Sequence, residues 1–306
     1  MIKQSGPSGI GQRASLYPWD VCPISHYLAP LELLAQSVSP SWTLLAWLLP
    51  LVMGVVVYPL VWRHWWGLTP LSEADWARLS PSISGSPMLL GLPLLRWNTA
   101  SRICNAAVLG CVPGFRYLMI SDRALETLPQ RSVSAIVAHE LGHVRNWHVV
   151  IRLLIVLAGG AIALVAIRWI SLLSLEGGVS TFLTVLVPVG MCLYLLLTLR
   201  WIAPVLEHQA DAYALKLLAG HKTSAVDRIR LAEELIQAIG ELSVMAGISL
   251  ERRTWLHPSW RQRRRFLLEV ARGDRSTASL GWWIAFQTLF HLSLLVASGA
   301  ILWALS

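Results

Sequence analysis

The stretch from residue 139 to residue 143 carries two histidines and a glutamate at a spacing suited to metal-assisted hydrolysis. In a helix, His139 and His143 lie one turn apart on the same face, so both imidazoles can reach one Zn²⁺ ion. Glu140 then lies beside the metal without being a ligand and can take a proton from water there. This H-E-x-x-H pattern is typical of zinc proteases, and a chance occurrence on a surface helix is the alternative interpretation.

A catalytic zinc ion needs a third protein ligand, and the best candidate is a glutamate further along the chain. Glu207 and Asp211 are four residues apart in a stretch of helical character, so they share a face. Glu207 can bind the metal while Asp211 accepts a hydrogen bond from the far nitrogen of a ligand histidine. His208 is the rival ligand, but it points about 100° away from Glu207 around the helix. An ordinary charged pair on a solvated helix is the alternative.

The paired elements H-E-x-x-H and E-x-x-A-D resemble the HtpX and CAAX prenyl protease family of integral-membrane zinc metallopeptidases. Three further stretches match in the expected order. Asn105-Ala106-Ala107 is similar to an edge-strand motif, and Asn146-Trp147-His148 follows the first element much as the family's K-N-R-H does. His257-Pro258, with Arg263 six residues after the histidine, resembles a late H-P-x-x-x-x-R element. The resemblance covers roughly residues 100–270.

The resemblance implies a fold that is mainly α, a multi-span membrane protein with a zincin-like metalloprotease domain. In that domain, helices accompany a small β-sheet with an edge strand that pairs with substrate. The resemblance also implies one Zn²⁺ ion per chain, bound by His139, His143 and Glu207, with Asp211 behind a ligand histidine.

The resemblance extends to the residues that handle substrate. Asn105 and Ala106 are expected to hold the main chain of an extended polypeptide, which adds as a strand. Glu140 is expected to activate the water. His257 or Arg263 is expected to polarise the scissile carbonyl and steady the developing oxyanion.

The composition indicates a membrane protein independently of these motifs. The chain is 55% hydrophobic and 14% charged, with a mean hydropathy of +0.56, whereas soluble proteins average about 25% charged residues. Four apolar runs are long enough to cross a bilayer. The predicted organisation is an N-terminal tail at 1–42, span one at 43–62, a first protease-domain segment with the motif helix at 63–148, span two at 149–175, span three at 179–203, a second protease-domain segment with the third ligand at 204–280 and span four at 281–305.

The second and third runs are predicted to form a helical hairpin that brings the site together. The motif helix is expected to continue into span two, and the helix that carries Glu207 is expected to continue from span three. Two crossings return the chain to the same side, so the ligands can meet. The hairpin tip at 171–179 has no Lys or Arg, whereas the opposite ends carry four arginines: Arg63, Arg145, Arg152 and Arg200. The positive-inside rule therefore predicts a cytoplasmic site, in a bacterial inner or plasma membrane.

A basic cluster lies late in the chain, which carries a formal net charge of +8. Its members are Arg261, Arg263, Arg264 and Arg265. The cluster fits anionic lipid headgroups or a solvated helix face equally well, and it leaves the choice of functional arginine open. Nothing else in the chain supports nucleic acid as a partner. The four cysteines lack C-x-x-C spacing and make no metal pattern.

These features together predict a membrane-bound zinc metalloendopeptidase that cleaves polypeptides at the cytoplasmic membrane face. Strand addition reads main chain rather than side chains, so broad specificity is expected, with membrane proteins as the favoured substrates. Quality control of damaged membrane proteins follows from the resemblance, and processing of prenylated proteins is a variant of it. A signalling metallopeptidase similar to the antibiotic sensors and a non-catalytic membrane scaffold that retains the motif are the alternatives.

Overall fold

The computed structural model describes residues 53–54, 57–79, 81–86, 91–220, 223–255 and 257–305. The predicted tail at 1–42 and most of the predicted first span at 43–62 lie outside the described residues. The described residues are mainly helical and contain one small sheet, which confirms the predicted fold class.

Four short strands form a mixed sheet in the order β1-β2-β4-β3. The strands are β1 (Leu68–Pro70), β2 (Leu94–Trp97), β3 (Ala106–Leu109) and β4 (Tyr117–Ser121). β2 and β4 run parallel, whereas the β1–β2 and β3–β4 pairs are antiparallel. Within the described sheet, β3 is therefore an edge strand, and it begins at the predicted Asn105-Ala106-Ala107 motif.

The two faces of the sheet are covered differently because successive side chains along a strand point to opposite sides. On β4, Leu118 and Ile120 join the main core with the helices of the protease domain. Tyr117 and Met119 point the other way, into a smaller cluster closed by tryptophans such as Trp66. β4 is buried along its whole length, so it anchors the edge strand beside it.

Besides the strands, nine helices have defined bounds in the described part of the chain. They are α1 (Glu73–Trp76), α2 (Pro81–Ser84), α3 (Asp122–Thr127), α4 (Gln130–Arg145), α5 (His148–Leu172), α6 (Gly177–Ala219), α7 (Ala225–Met245), α8 (Trp260–Arg272) and α9 (Ala278–Ala304). Serine caps start several of them: Ser72 forms a capping box with Asp75, and Ser224 accepts a hydrogen bond from the backbone of Asp227.

The motif helix does not continue into the following apolar helix, which corrects the sequence-based prediction. α4 ends at Arg145, where the side chain of Asn146 donates a hydrogen bond to the carbonyl of Gly142 at 2.8 Å. Trp147 adopts a left-handed conformation with φ 56°, which no helix can continue through. α5 then starts afresh at His148. The sequence contains no Gly or Pro at this point, so the break had no local signal.

Three of the described helices, α5, α6 and α9, are long and apolar enough to cross a membrane. α6 has 43 residues, about 65 Å at 1.5 Å per residue, roughly twice the hydrocarbon thickness of a bilayer. Its apolar first half exposes side chains such as Phe182 and Val189, at 62% and 61%. Its second half carries Glu207 and Asp211 into the protease core, as expected for a helix that continues from the third apolar run.

The three long helices pack against one another through branched side chains. Ile155 of α5, Ile202 of α6 and Ile284 of α9 belong to one buried cluster. At the opposite end of α5, the Arg168 guanidinium donates two hydrogen bonds to the carbonyl of Leu305 at 3.2 and 2.7 Å. The end of α9 therefore lies at the same level as the tip of the α5–α6 hairpin, away from Glu207.

Candidate metal centre

The α4 helix places its two histidines on one buried face. Its apolar run up to residue 138 packs into the core, and His139 and His143 follow on the same side, 8% and 9% exposed. Their Nε2 atoms lie 3.2 Å apart. The spacing of four residues thus gives two imidazole nitrogens aimed at a common point, as the sequence predicts.

Glu207 reaches the same point from α6. One carboxylate oxygen lies 3.5 Å from Nε2 of His139, and the other lies 3.5 Å from Nε2 of His143. The side chain is 1% exposed, yet neither oxygen has a hydrogen bond of good geometry among the described residues. A buried carboxylate whose hydrogen bonds are not satisfied is costly, so the three side chains form a site that a cation would complete. They are also the described residues whose donor atoms group closely enough to hold a metal ion.

A glycine allows α4 and α6 to approach closely enough for this convergence. A Cβ atom built on Gly142 would lie 2.8 Å from both Cα and the carbonyl oxygen of Ala210. Ala210, fully buried, is the small residue of the E-x-x-A-D element. The two motifs are therefore complementary in shape: the glycine of the first contacts the backbone of the second. Gly142 directly precedes His143, and Ala210 follows Glu207 by three residues.

Asp211 supports His139 from behind. Its carboxylate oxygen accepts a hydrogen bond from Nδ1 of His139 at 2.9 Å, which leaves Nε2 for the metal. Arg263 of α8 binds the same carboxylate through Nε at 2.9 Å and Nη2 at 2.5 Å. The fork keeps Asp211 ionised and fixed in place. Arg263 is 9% exposed, so its guanidinium is committed to the interior.

His143 has a different support, which the sequence did not lead us to assign. Nδ1 of His143 lies 2.7 Å from Nδ1 of His148, and Nε2 of His148 lies 2.8 Å from Oε1 of Gln209. His148 is fully buried. The family-like Asn146-Trp147-His148 stretch was the available signal, but only the turn at Trp147 shows that the imidazole folds back against the site.

The electrostatics of the two ligand histidines differ in the metal-free protein. Burial and the Arg263 charge lower the pKa of His139, but the carboxylates of Asp211 and Glu207 outweigh them and raise this pKa to about 9. Burial, aided by the charge on His139, holds the pKa of His143 well below its ordinary value, against the opposing effect of Glu207. Without a metal, the imidazole of His139 is thus a cation paired with carboxylates, and the imidazole of His143 is neutral.

Glu140 is only partly buried, whereas its neighbours on the core-facing side of α4 are buried. Burial raises its pKa to about 7, with the Glu207 charge adding to the effect and with His139, Arg263 and His257 opposing it. A carboxylate whose pKa lies near neutrality can both accept and return a proton at physiological pH. The sequence-predicted base therefore has suitable acid–base chemistry.

The residues predicted to polarise the carbonyl occupy unequal positions. Nδ1 of His257 lies 3.1 Å from an oxygen of Glu207, and its side chain is 55% exposed. Arg263 instead faces inward, with Nη1 3.9 Å from Glu207. The sequence assigned Arg152 of α5 only to membrane orientation, but its Nη2 lies 3.7 Å from Glu207. Its Nε and Nη2 are buried and have no hydrogen-bond partner within the part of the chain that the structure describes.

The edge strand β3 packs against the motif helix, beside the ligands. Asn105 precedes the strand: its carbonyl accepts a hydrogen bond from the backbone N–H of Ser121 at 2.9 Å, while its side chain is exposed. Pairing alternates along antiparallel strands, so Asn105 and Ala107 direct their main-chain groups towards β4. Ala106 and Val108 direct theirs to the open edge. Val108 also borders a small cavity that reaches His143.

Comparisons with known proteins agree with this geometry. A family model described as peptidase family M48 matches residues 91–271. The crystal structure of S. mikatae Ste24p is similar in fold, with a TM-score of 0.55 and 14% sequence identity, over 80% of this chain and 62% of that chain. The chain thus spans about three fifths of the length of that protein. No curated protein sequence matches the chain.

Proposed function

Because the chain belongs to peptidase family M48, a family of metallopeptidases, we propose that it is a membrane-bound zinc metalloendopeptidase. It cleaves polypeptides at the cytoplasmic face of a bacterial inner or plasma membrane, in the quality control of membrane proteins. The family match and the three apolar helices support a membrane metallopeptidase. The metal, the substrates and the orientation are the proposal.

The observation that carries the proposal is how closely the three donor groups approach one another. The two Nε2 atoms lie 3.2 Å apart, and each lies 3.5 Å from a carboxylate oxygen of Glu207, a different oxygen for each histidine. Tetrahedral zinc with ligands at about 2.0–2.1 Å requires donor atoms about 3.3–3.4 Å apart. Two imidazoles and a carboxylate are also a donor set of catalytic zinc sites, which leave the fourth position open. His139, His143 and Glu207 therefore fit one Zn²⁺ ion.

When bound there, zinc supplies a Lewis acid that polarises a carbonyl and makes water more acidic. Glu140 takes the proton of the attacking water and returns it to the leaving amine, a role that its position next to the ligand His139 permits. Asp211 and Arg263 hold His139 in place during both transfers. The three carboxylates thus have different roles. Glu207 and Asp211 stay in fixed positions, and Glu140 exchanges a proton.

The open edge of β3 offers a place for substrate. No described strand pairs with this edge, to which Ala106 and Val108 direct their N–H and C=O groups, and an extended peptide can pair with them main chain to main chain. Asn105 lies at the end of this edge with an exposed amide that can bind a peptide group. This mode does not depend on substrate side chains and supports broad specificity.

Of the two candidates for steadying the oxyanion, the geometry favours His257. Its imidazole is exposed and lies beside Glu207, so it can reach a substrate in the open position. Arg263 has Nε and Nη2 on Asp211 and acts as a positioning residue. Both remain within the proposed active site, in different roles.

The charge distribution supports a cytoplasmic site. The hairpin tip lacks basic residues, and Arg145, Arg152 and Arg200 lie at the site end of α4, α5 and α6. The ligands on α4 and α6 meet at that end. Damaged or misassembled membrane proteins would expose extended segments there, which is the basis for proposing quality control.

The direct test compares Glu140→Gln with His139→Ala in purified full-length protein. Glu140→Gln is expected to bind one zinc per chain and to cleave unfolded casein at least about a thousandfold more slowly, because the base is lost and the ligands are kept. His139→Ala is expected to lose the zinc. A Glu140→Gln protein that retains zinc and cleaves at the wild-type rate would contradict the role of Glu140 as the general base. A wild-type chain with zinc and no cleavage would favour the scaffold.

A further inference from the structure

A second buried imidazole lies behind His143, and the proposed hydrolysis gives it no role. The rings of His143 and His148 meet edge to face, with centroids 4.8 Å apart and Nδ1 atoms 2.7 Å apart. The other nitrogen of His148 lies 2.8 Å from Oε1 of Gln209 on α6. The three side chains therefore form a continuous row of hydrogen bonds from α6 to a metal-facing imidazole.

The number of protons on the two rings determines which group donates and which accepts at each hydrogen bond of this row. Two neutral Nδ1 atoms in contact share one proton, so one ring donates and the other accepts. With the oxygen of Gln209 facing His148, Nε2 of His148 donates to it and Nδ1 of His148 is bare. His143 then donates from Nδ1, and its Nε2 keeps the lone pair that a metal needs.

The opposite direction would disable the site. If Gln209 offered its NH₂ group, His148 would accept on Nε2 and donate from Nδ1. His143 would then accept on Nδ1 and carry its proton on Nε2, between His139 and Glu207. A protonated Nε2 cannot be a ligand. The acceptor atom of Gln209 therefore decides which nitrogen of His143 is free.

The backbone adopts an unfavourable conformation to place His148 here. Trp147 is left-handed, a conformation that is unfavourable for a non-glycine residue. The turn, closed by the bond from Asn146 to Gly142, starts α5 at His148 so that its side chain lies under His143. A helix running straight through would carry residue 148 past the ligand.

We propose that His148 and Gln209 are positioning residues that hold His143 in its metal-binding tautomer, with Gln209 acting through its carbonyl oxygen. The inference rests on the proposed zinc site and deepens it. It gives His143 a neutral support, in contrast to the charged support that Asp211 gives His139.

Paired variants test acceptor chemistry apart from packing. His148→Asn keeps an oxygen near the place of Nδ1, whereas His148→Leu removes the acceptor. Gln209→Glu keeps an acceptor, whereas Gln209→Met keeps the length without one. His208→Phe is the control, since His208 stacks on Phe266 with ring centroids 4.3 Å apart, and its buried Nε2 has no hydrogen-bond partner.

The measurements are zinc affinity by competition with a chelator and the visible spectrum of the cobalt-loaded protein, on the purified full chain. His148→Leu and Gln209→Met are expected to bind zinc about ten- to a hundredfold more weakly and to shift the cobalt bands. The zinc affinities of His148→Asn, Gln209→Glu and the control should stay within about threefold of wild type, a much smaller change than in His148→Leu and Gln209→Met.

Two results would overturn the inference alone: wild-type affinity in His148→Leu and Gln209→Met, or equal losses in the Asn and Leu variants, which would assign His148 to packing. A wild-type chain that binds no zinc would overturn the proposed function, and this inference with it. The two failures are therefore distinguished by the wild-type measurement.

Discussion

The two imidazoles of the H-E-x-x-H motif lie on the same face of α4 but have different chemical surroundings. His139 donates to the ionised Asp211, which Arg263 holds in a two-point contact. Each partner is buried, so the carboxylate and the guanidinium depend on one another: removing one would leave an unpaired charge. Arg263 is thereby tied to the metal ligand rather than to the substrate.

Replacing Arg263 and His257 separately is expected to give different kinetic results. Arg263→Gln should weaken zinc binding about ten- to a hundredfold, because Asp211 loses its fixed position. His257→Ala should keep zinc affinity and lower kcat about a hundredfold, because an oxyanion donor is lost. Zinc titration and peptide kinetics on both proteins check this. Unchanged zinc affinity with a lowered kcat in Arg263→Gln would place its guanidinium on the substrate.

At the scale of elements, the site depends on how closely α4 and α6 pack and on which edge of the sheet is open. Gly142 lies against the backbone of Ala210, so no side chain separates the two helices. β3 is held on one side by β4, and no described strand pairs with its other side. The close helix contact follows from the glycine, and the open edge follows from the order of the strands.

A single methyl group at the helix contact is expected to open the site. Gly142→Ala should push α4 from α6, since its Cβ would meet backbone atoms at 2.8 Å, and overpacking costs about 1–3 kcal/mol. The melting temperature and the zinc affinity should both fall. Gly160→Ala on α5 is the matched control, with nothing within 4 Å of its Cβ. Equal stability and zinc binding in both variants would contradict the close-contact argument.

Proline substitutions on β3 can separate the open edge from the paired edge. Val108→Pro removes an N–H that points away from β4, so folding and zinc binding should persist while kcat/KM for casein falls about tenfold or more, the loss of about one hydrogen bond to substrate. Ala107→Pro removes an N–H directed at β4 and should destabilise the sheet. Undiminished cleavage by a folded Val108→Pro protein would argue against strand addition.

At the scale of the whole molecule, the long hairpin connects the two halves of the metal site. α5 leads away from His143, and α6 returns as one helix that runs on to Glu207. The apolar stretches of both helices expose their side chains, as a lipid environment requires, while the ends near the ligands are buried. In the proposed topology, the two crossings of the bilayer therefore bring the two halves of the site together.

The proposed orientation can be tested by labelling. In a chain whose four cysteines are replaced by serine, Glu176→Cys at the hairpin tip should react with a membrane-impermeant maleimide on intact cells, because the tip is predicted to lie outside. Lys216→Cys, at the far end of α6, should react only after the membrane is opened. The reverse pattern would place the metal site outside the cell.

The residues that group as a candidate metal site and the membrane character could be inferred from sequence because each depends on local periodicity. A helix turn aligns His139 with His143 and Glu207 with Asp211, and about twenty apolar residues suffice to span a bilayer. The coarse order of strands, motif helix and apolar helices follows from the same patterns. Serine caps such as Ser72 also lie where a short-range motif predicts them.

Contacts between distant segments were decided by the tertiary structure alone. The turn at Trp147, the support of His143 by His148 and Gln209, the commitment of Arg263 to Asp211, and the position of Arg152 beside Glu207 each join residues that no periodicity relates. Such contacts arise from the packing of α4, α5, α6 and α8 around one point, where buried polar groups must find partners. Sequence spacing specifies which face of a helix a side chain occupies, whereas packing decides which other helix that face meets.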